Sequence, residues 1–156
     1  MSQDFEELLG SLDDAGVKYL IGGAHALALH ARPRATKDLE LFVAPTRANA
    51  MRFIEALTVF FGTKPPSSVS VKNLLDPDTI LQLGVAPVRV DVLSAFATIS
   101  FSEAWRARRD ARFGAVPAHF LGRAHLIQEK VHFDRPQDRA DVAALLAAPT
   151  RKKRKR

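Results

Sequence analysis

The chain has 156 residues, 47% hydrophobic and 26% charged, a balance that suits one folded domain with a real core and excludes a disordered or collagen-like chain. It contains no cysteine, which removes disulfides, thiolate zinc sites and a cysteine nucleophile together. The net charge of +6 is local: the last six residues, RKKRKR, are all basic, and removing six of the 23 Lys and Arg leaves as many bases as the 17 acids.

The organisation expected is a single domain over residues 1–150 and a basic disordered tail over 151–156. The tail reads first as a solvated terminus and second as a phosphate-contacting arm. The opening MSQDFEELLG lacks the basic-then-apolar layout of a signal peptide, and no apolar run approaches bilayer length. The expectation is a cytoplasmic protein with no membrane partner.

In chain order, Phe5, Leu8, Leu9 and Leu12 at helical spacing predict an amphipathic helix over 4–15, ended by Gly16. Val17 to Ile21 is a short strand, and Gly22-Gly23 turns the chain into a helix, AHALALHA. Arg32 to Lys37 is a polar connection, and Leu39 to Val43 forms the second strand. Thr46 is an N-cap for a helix to about Phe60, followed by the loop FGTKPPSSVS. TILQLG and PVRVDVLS are two strands joined by a tight turn around Gly84 to Pro87. Phe101 to Arg109 reads as a short helix, RFGAVPAHF as a final strand, and two helices follow at about Gly122 to Phe133 and Pro136 to Ala147. The fold class is α/β (α+β), a small mixed β-sheet flanked by helices.

Three units of this plan carry chemistry. Glycine permits close backbone approach and a helix N-terminus offers free N–H groups, so the Gly22-Gly23 turn suits phosphate as well as simply being tight. On the second strand Asp38 and Glu40 share one face, opposite Leu39, Leu41 and Val43. On PVRVDVLS, Arg89 and Asp91 share one face, opposite Val88, Val90 and Val92. If the two strands are neighbours, Asp38, Glu40 and Asp91 converge, and three clustered carboxylates repel unless cations neutralise them. Hard oxygen ligands select Mg2+ or Mn2+, and a two-ion site stabilises the attacking and leaving oxygens of a phosphoryl displacement.

These residues resemble a family. IGGAHALALHARPRATKDLELFV is similar to the nucleotidyltransferase signature of the DNA polymerase β superfamily. Its Gly-Gly opening and Arg-x-Thr-x-Asp lead-in look more like the minimal nucleotidyltransferases related to abortive-infection (AbiEii-type) toxins. VRVDVLS resembles the strand bearing the family's third carboxylate, and LIQEKVHFDRPQDRADVAALL its C-terminal Lys, Arg-Pro-x-Asp and x-x-Asp segment. The resemblance covers roughly residues 5 to 147 and implies a polymerase β-like nucleotidyltransferase fold. It implies that Gly22 and Gly23 hold a nucleoside triphosphate, with Arg34 and Thr36 touching phosphate or ordering the loop. Asp38, Glu40 and Asp91 would coordinate two Mg2+ or Mn2+ ions, Asp91 also helping to activate the acceptor hydroxyl. Lys130 would contact phosphate or neutralise transition-state charge, a solvated helix cation being the other reading. Asp138 suits a helix N-terminus after Pro136, and Asp141, three residues on, would orient the Lys or an Arg.

The activity so implied is transfer of a nucleoside monophosphate from an NTP to an acceptor hydroxyl on an RNA (tRNA) end or a protein, in a toxin with a cognate antitoxin. The toxin-like members usually carry Asp where this chain has Glu40. The alternative reading is therefore a catalytically impaired member of the fold, acting as a binding or antitoxin-like partner. A third is a nucleic-acid module using the tail. His25 and His30, five apart on one helix, point in different directions and read as core or surface residues. The Trp105 to Arg109 cluster with Arg112 reads as a solvated helix face with Trp105 packed inward, and otherwise as an RNA-facing patch.

Overall fold

The computed structural model describes residues 3–36, 38–85 and 88–150. The basic tail, and the middle of the turn expected around Gly84 to Pro87, lie outside them. Among the described residues seven helices and six strands follow in the order α1 (Gln3–Asp14), β1 (Tyr19–Ile21), α2 (Gly23–His30), β2 (Asp38–Val43), α3 (Arg47–Phe61), α4 (Val71–Leu75), β3 (Leu81–Val85), β4 (Val88–Leu93), α5 (Phe101–Arg106), β5 (Arg109–Phe113), β6 (Val116–Phe120), α6 (Arg123–Phe133) and α7 (Pro136–Ala147). The strands form one mixed sheet in the order β3-β4-β2-β1-β6-β5. β2 runs parallel to β4 and antiparallel to β1, and β1 runs parallel to β6. Two antiparallel hairpins, β3–β4 and β5–β6, close the edges.

The alternation read from β2 is the alternation observed: Leu39, Leu41 and Val43 are buried, while Asp38 and Glu40 on the opposite face stay partly open. Their apolar face joins the core that α1 contributes through Phe5, Leu8, Leu9 and Leu12, and α3 through Phe53, Ala56 and Leu57. Thr46 caps α3 as expected, its hydroxyl accepting from Asn49 N at 3.1 Å. Gly62 ends the helix in the left-handed conformation, φ 71°.

Four boundaries differ from the sequence reading, each for a tertiary reason. β1 begins at Tyr19 rather than Val17, because the Asn49 amide from α3 takes both the N–H and the carbonyl of Lys18. Ser70 accepts from Asn73 N and starts a short helix, α4, after the expected loop. The helix at Phe101 stops at Arg106, and Arg109 already belongs to β5. The single strand expected over RFGAVPAHF is instead a turn with both its arms: Gly114, φ 61°, reverses the chain, and Glu6 of α1 accepts Ala115 N at 2.6 Å to hold the turn down.

Candidate functional site

β1 is followed by Gly22, whose N–H donates to the Glu40 carbonyl at 3.0 Å, so the turn into α2 is tied to the neighbouring strand. That bond uses the donor expected to reach phosphate, and what Gly22 supplies is space. A Cβ there would stand 2.7 Å from Phe42 Cε2 and 3.1 Å from Glu40 Oε1. Gly23, at φ 58°, makes the left-handed step into α2, and a Cβ on it would meet Glu40 Oε2 at 3.2 Å. The two glycines therefore let the Glu40 carboxylate lie against the turn. Gly22→Ala is expected to cost about 1–3 kcal/mol by overpacking, because the Phe42 ring, stacked on Phe96 at 4.1 Å, would have to shift. Thermal denaturation should show a fall of roughly 3–10 °C, and an unchanged midpoint would mean that the Phe42 ring is free to move.

The β2–β4 register settles whether the acids meet. Glu40 pairs with Asp91, and Asp38 with Arg89. Asp38, Glu40 and Asp91 line one cavity of about 390 Å³ with Gly22, Gly23 and Lys130. Burial pushes the Glu40 carboxyl above the usual range; Lys130 works against that and Asp91 reinforces it. Among the described residues Asp91 Oδ1 is buried without a hydrogen-bond partner. Asp38, 40% exposed, accepts from Arg89 Nη2 at 3.2 Å. Among the described residues no three Asp, Glu or His side chains are drawn together closely enough to hold a metal ion as the chain stands. The donor set still suits a hard divalent cation: Glu40 and Asp91 are side by side, one raised by burial and one carrying an orphaned buried oxygen, with Asp38 held aside by Arg89.

The lead-in loop is ordered from both ends. Thr36 Oγ1 accepts from Asp38 N at 3.2 Å and donates to Asp38 O at 3.3 Å. Arg34 reaches across the cavity to Asp141, its Nη1 2.7 and 2.8 Å from the two carboxylate oxygens. Lys130 is buried, so the reading of it as a solvated helix charge does not hold: its Nζ lies 2.8 Å from Asp141 and 3.8 Å from Asp138. Asp141 is thus the junction of α6, α7 and the lead-in loop, with Gln137 Nε2 adding a bond at 2.9 Å. Asp138 takes the place expected at the start of α7, accepting Arg135 N at 3.2 Å and Nε at 2.6 Å. Burial pushes both aspartates up, but the cations and donors around them outweigh it and leave both below the ordinary carboxylate range.

Three contributors, Glu129, Phe133 and Arg135, were not among the site candidates read from the sequence. Glu129, beside Lys130, accepts Ala97 N at 2.8 Å, Thr98 N at 2.9 Å and the Thr98 hydroxyl at 2.5 Å. It pins the loop after β4, whose Phe96 stacks on Phe42 and lines the cavity. Phe133 and Arg135 stand at the same cavity, with the guanidinium 5.3 Å from the ring centre. The partners of Glu129 lie some 30 positions away, so nothing local marks it, whereas Phe133 and Arg135 lie inside the segment that carries the resemblance, with Arg135 bonded to Asp138 three residues on.

The remaining sequence candidates resolve as packing. His25 lies among Phe5 and Phe113, and the His30 Nε2–H donates to Leu121 O at 2.8 Å. Burial pushes both imidazoles below their ordinary value. Trp105 is half-buried, stacked on Phe101, with the Arg108 guanidinium 4.0 Å over its ring.

No protein-family model matches the chain, and no curated protein matches it in sequence. Solved structures do match in fold. The solution structure of the antibiotic-resistance factor ANT(2'')-Ia is 13% identical with a TM-score of 0.56, over 92% of this chain and 79% of that one. The crystal structure of a Thermotoga maritima protein assigned as a nucleotidyltransferase is 11% identical with a TM-score of 0.58, over 91% of this chain and 89% of that one. The mixed sheet flanked by helices is accordingly the nucleotidyltransferase fold.

Proposed function

We propose that the protein is a minimal nucleotidyltransferase that moves a nucleoside monophosphate from an NTP to an acceptor hydroxyl on an RNA (tRNA) end or a protein. The observation that carries this is the register pair Glu40–Asp91 beside the Gly22-Gly23 turn, in one cavity with the buried Lys130. The acceptor oxygen bonds to the α-phosphorus, the α–β phosphoanhydride bond breaks, and pyrophosphate leaves. Asp91, which lines the same cavity, is the carboxylate that would accept the hydroxyl proton. The first turn of α2, opening at Gly23, offers backbone N–H groups and the positive end of a helix dipole to the triphosphate. Lys130 and Arg34 bring positive charge to the same cavity, and Asp141 fixes both. Glu40, Asp91 and, once released from Arg89, Asp38 would hold Mg2+ or Mn2+. Such ions, when bound, neutralise phosphate charge and orient the in-line displacement.

A toxin role with a cognate antitoxin rests on the likeness of the Arg34-x-Thr36-x-Asp38 lead-in and the Lys130, Asp138 and Asp141 segment to abortive-infection toxins. The Asp38–Arg89 pair favours one other reading, a catalytically impaired binding partner. Incubation with α-labelled NTPs, Mg2+ or Mn2+ and either total RNA or RNA-free lysate separates these. Label on RNA or on protein supports the proposal and tells which acceptor is used. No transfer, together with no heat of NTP–Mg2+ binding by calorimetry, leaves the binding-partner reading.

A further inference from the structure

The face that carries the three acids also carries one cation. Arg89 precedes Asp91 by two residues on β4, so both side chains leave the strand on the same side. In register it stands between Asp38 of β2 and Gly84 of β3. Gly84 presents no side chain, and the guanidinium bonds toward β2, to Asp38 Oδ2 at 3.2 Å. The grip is thin. Both side chains are 40% exposed, and among the described residues neither Arg89 Nε nor Asp91 Oδ1, on the same strand face and also buried, has a hydrogen-bond partner. The guanidinium thus offsets the charge of the acids without sealing the face.

We propose that Arg89 is the resident counter-cation of this carboxylate face, a positioning residue that holds Asp38 aside until a divalent cation displaces it. The proposal rests on the metal reading of Glu40 and Asp91 given above. Three carboxylates on one face need positive charge in every state of the protein; Lys130, bonded to Asp141 at 2.8 Å, acts on Glu40, and Asp38 is left to Arg89. Arg89 supplies that charge when no ion is bound. A guanidinium stays protonated at any ordinary pH, so only a competing cation relieves Asp38 of it. A half-exposed ion pair is weak, which keeps the exchange accessible. The same pair accounts for the absence, among the described residues, of a ready three-acid cluster on a face that has three acids.

Mn2+ alone, titrated into the full chain and read as loss of the free-ion paramagnetic resonance signal, tests this. Arg89→Ala is expected to bind Mn2+ about fivefold more tightly than the unaltered chain, the gain that loss of a weak ion pair allows. Arg89→Lys keeps the charge and is expected within about twofold of the unaltered chain. Asp91→Asn, which removes a ligand, is expected to bind at least about tenfold more weakly. Should Asp91→Asn weaken binding while Arg89→Ala leaves it unchanged, the counter-cation role falls and the metal site stands. Should Asp91→Asn have no effect, or no chain bind Mn2+, both fall together. Equal gains in the Ala and Lys variants also overturn the proposal, since room rather than charge would then be at issue. In the unaltered chain, Mg2+ is expected to shift the Arg89 Nε–H resonance, and an unmoved resonance under saturating Mg2+ overturns the displacement without recourse to any variant.

Discussion

Asp91→Asn is expected to reduce nucleotidyl transfer by about a hundredfold or more while leaving the folded chain at least as stable as before. The two halves of this expectation have one cause. Asp91 sits in register with Glu40, and among the described residues its buried Oδ1 has nothing to bond to. In the resting chain the charge is a liability, one of the reasons the Glu40 carboxyl is pushed up. An isosteric amide removes the repulsion but can neither take a proton nor bind a hard cation. Initial rates of label transfer and a thermal melt on the same preparation measure both effects. Transfer within threefold of the unaltered chain would remove Asp91 from the reaction, and a lower melting temperature would assign it a structural role instead.

Asp141→Ala is expected to act in the opposite way, through stability first. Its carboxylate is 1% exposed and holds Lys130, Arg34 and Gln137 at once. Removing it strands the buried Lys130 ammonium with only Asp138 at 3.8 Å, for which about 3 kcal/mol is expected, or a melting temperature lower by roughly 6–12 °C. Lys130→Met combined with Asp141→Leu takes out both charges and should recover most of that loss without recovering transfer. If the double variant is no more stable than Asp141→Ala, then the cost lies elsewhere than in the stranded cation. The pH dependence has a definite sign. Asp138 and Asp141 are depressed in the folded chain, so their contribution is complete above the ordinary aspartate value of 3.8 and is lost as the pH falls through their lower folded values. In Asp141→Ala that acid-side loss of stability should be visibly smaller.

Glu40 is where the chain departs from the pattern it resembles, and the cavity shows how the longer side chain is housed. Its carboxylate occupies the space that Cβ atoms at Gly22 and Gly23 would contest, at 3.1 and 3.2 Å. The extra methylene is thus matched by a turn with no side chains, so that Glu40 still stands beside Asp91.

The sequence by itself determined the elements with strong periodicity or a local cap. α1 and α3 follow from apolar spacing and from Thr46, β2 and β4 from alternation, and α7 from Pro136 with Asp138. It also determined which side chains share a strand face, because a strand alternates strictly: Asp38 with Glu40, and Arg89 with Asp91. Only the tertiary structure decided what those faces meet. Strand neighbourhood and register are long-range facts, and a shift of one residue would have put Glu40 opposite an apolar position instead of Asp91. Lys130 and Asp141 lie on different helices, Arg34 reaches Asp141 across 107 residues, and Glu129 reaches the loop at Ala97 across 32. Asp141 was read as orienting the Lys or an Arg only through the resemblance, and the reach of Glu129 has no period or spacing to betray it. A buried charge finds its partner by where helices pack, and packing is settled by the whole core rather than by the residues on either side of the charge.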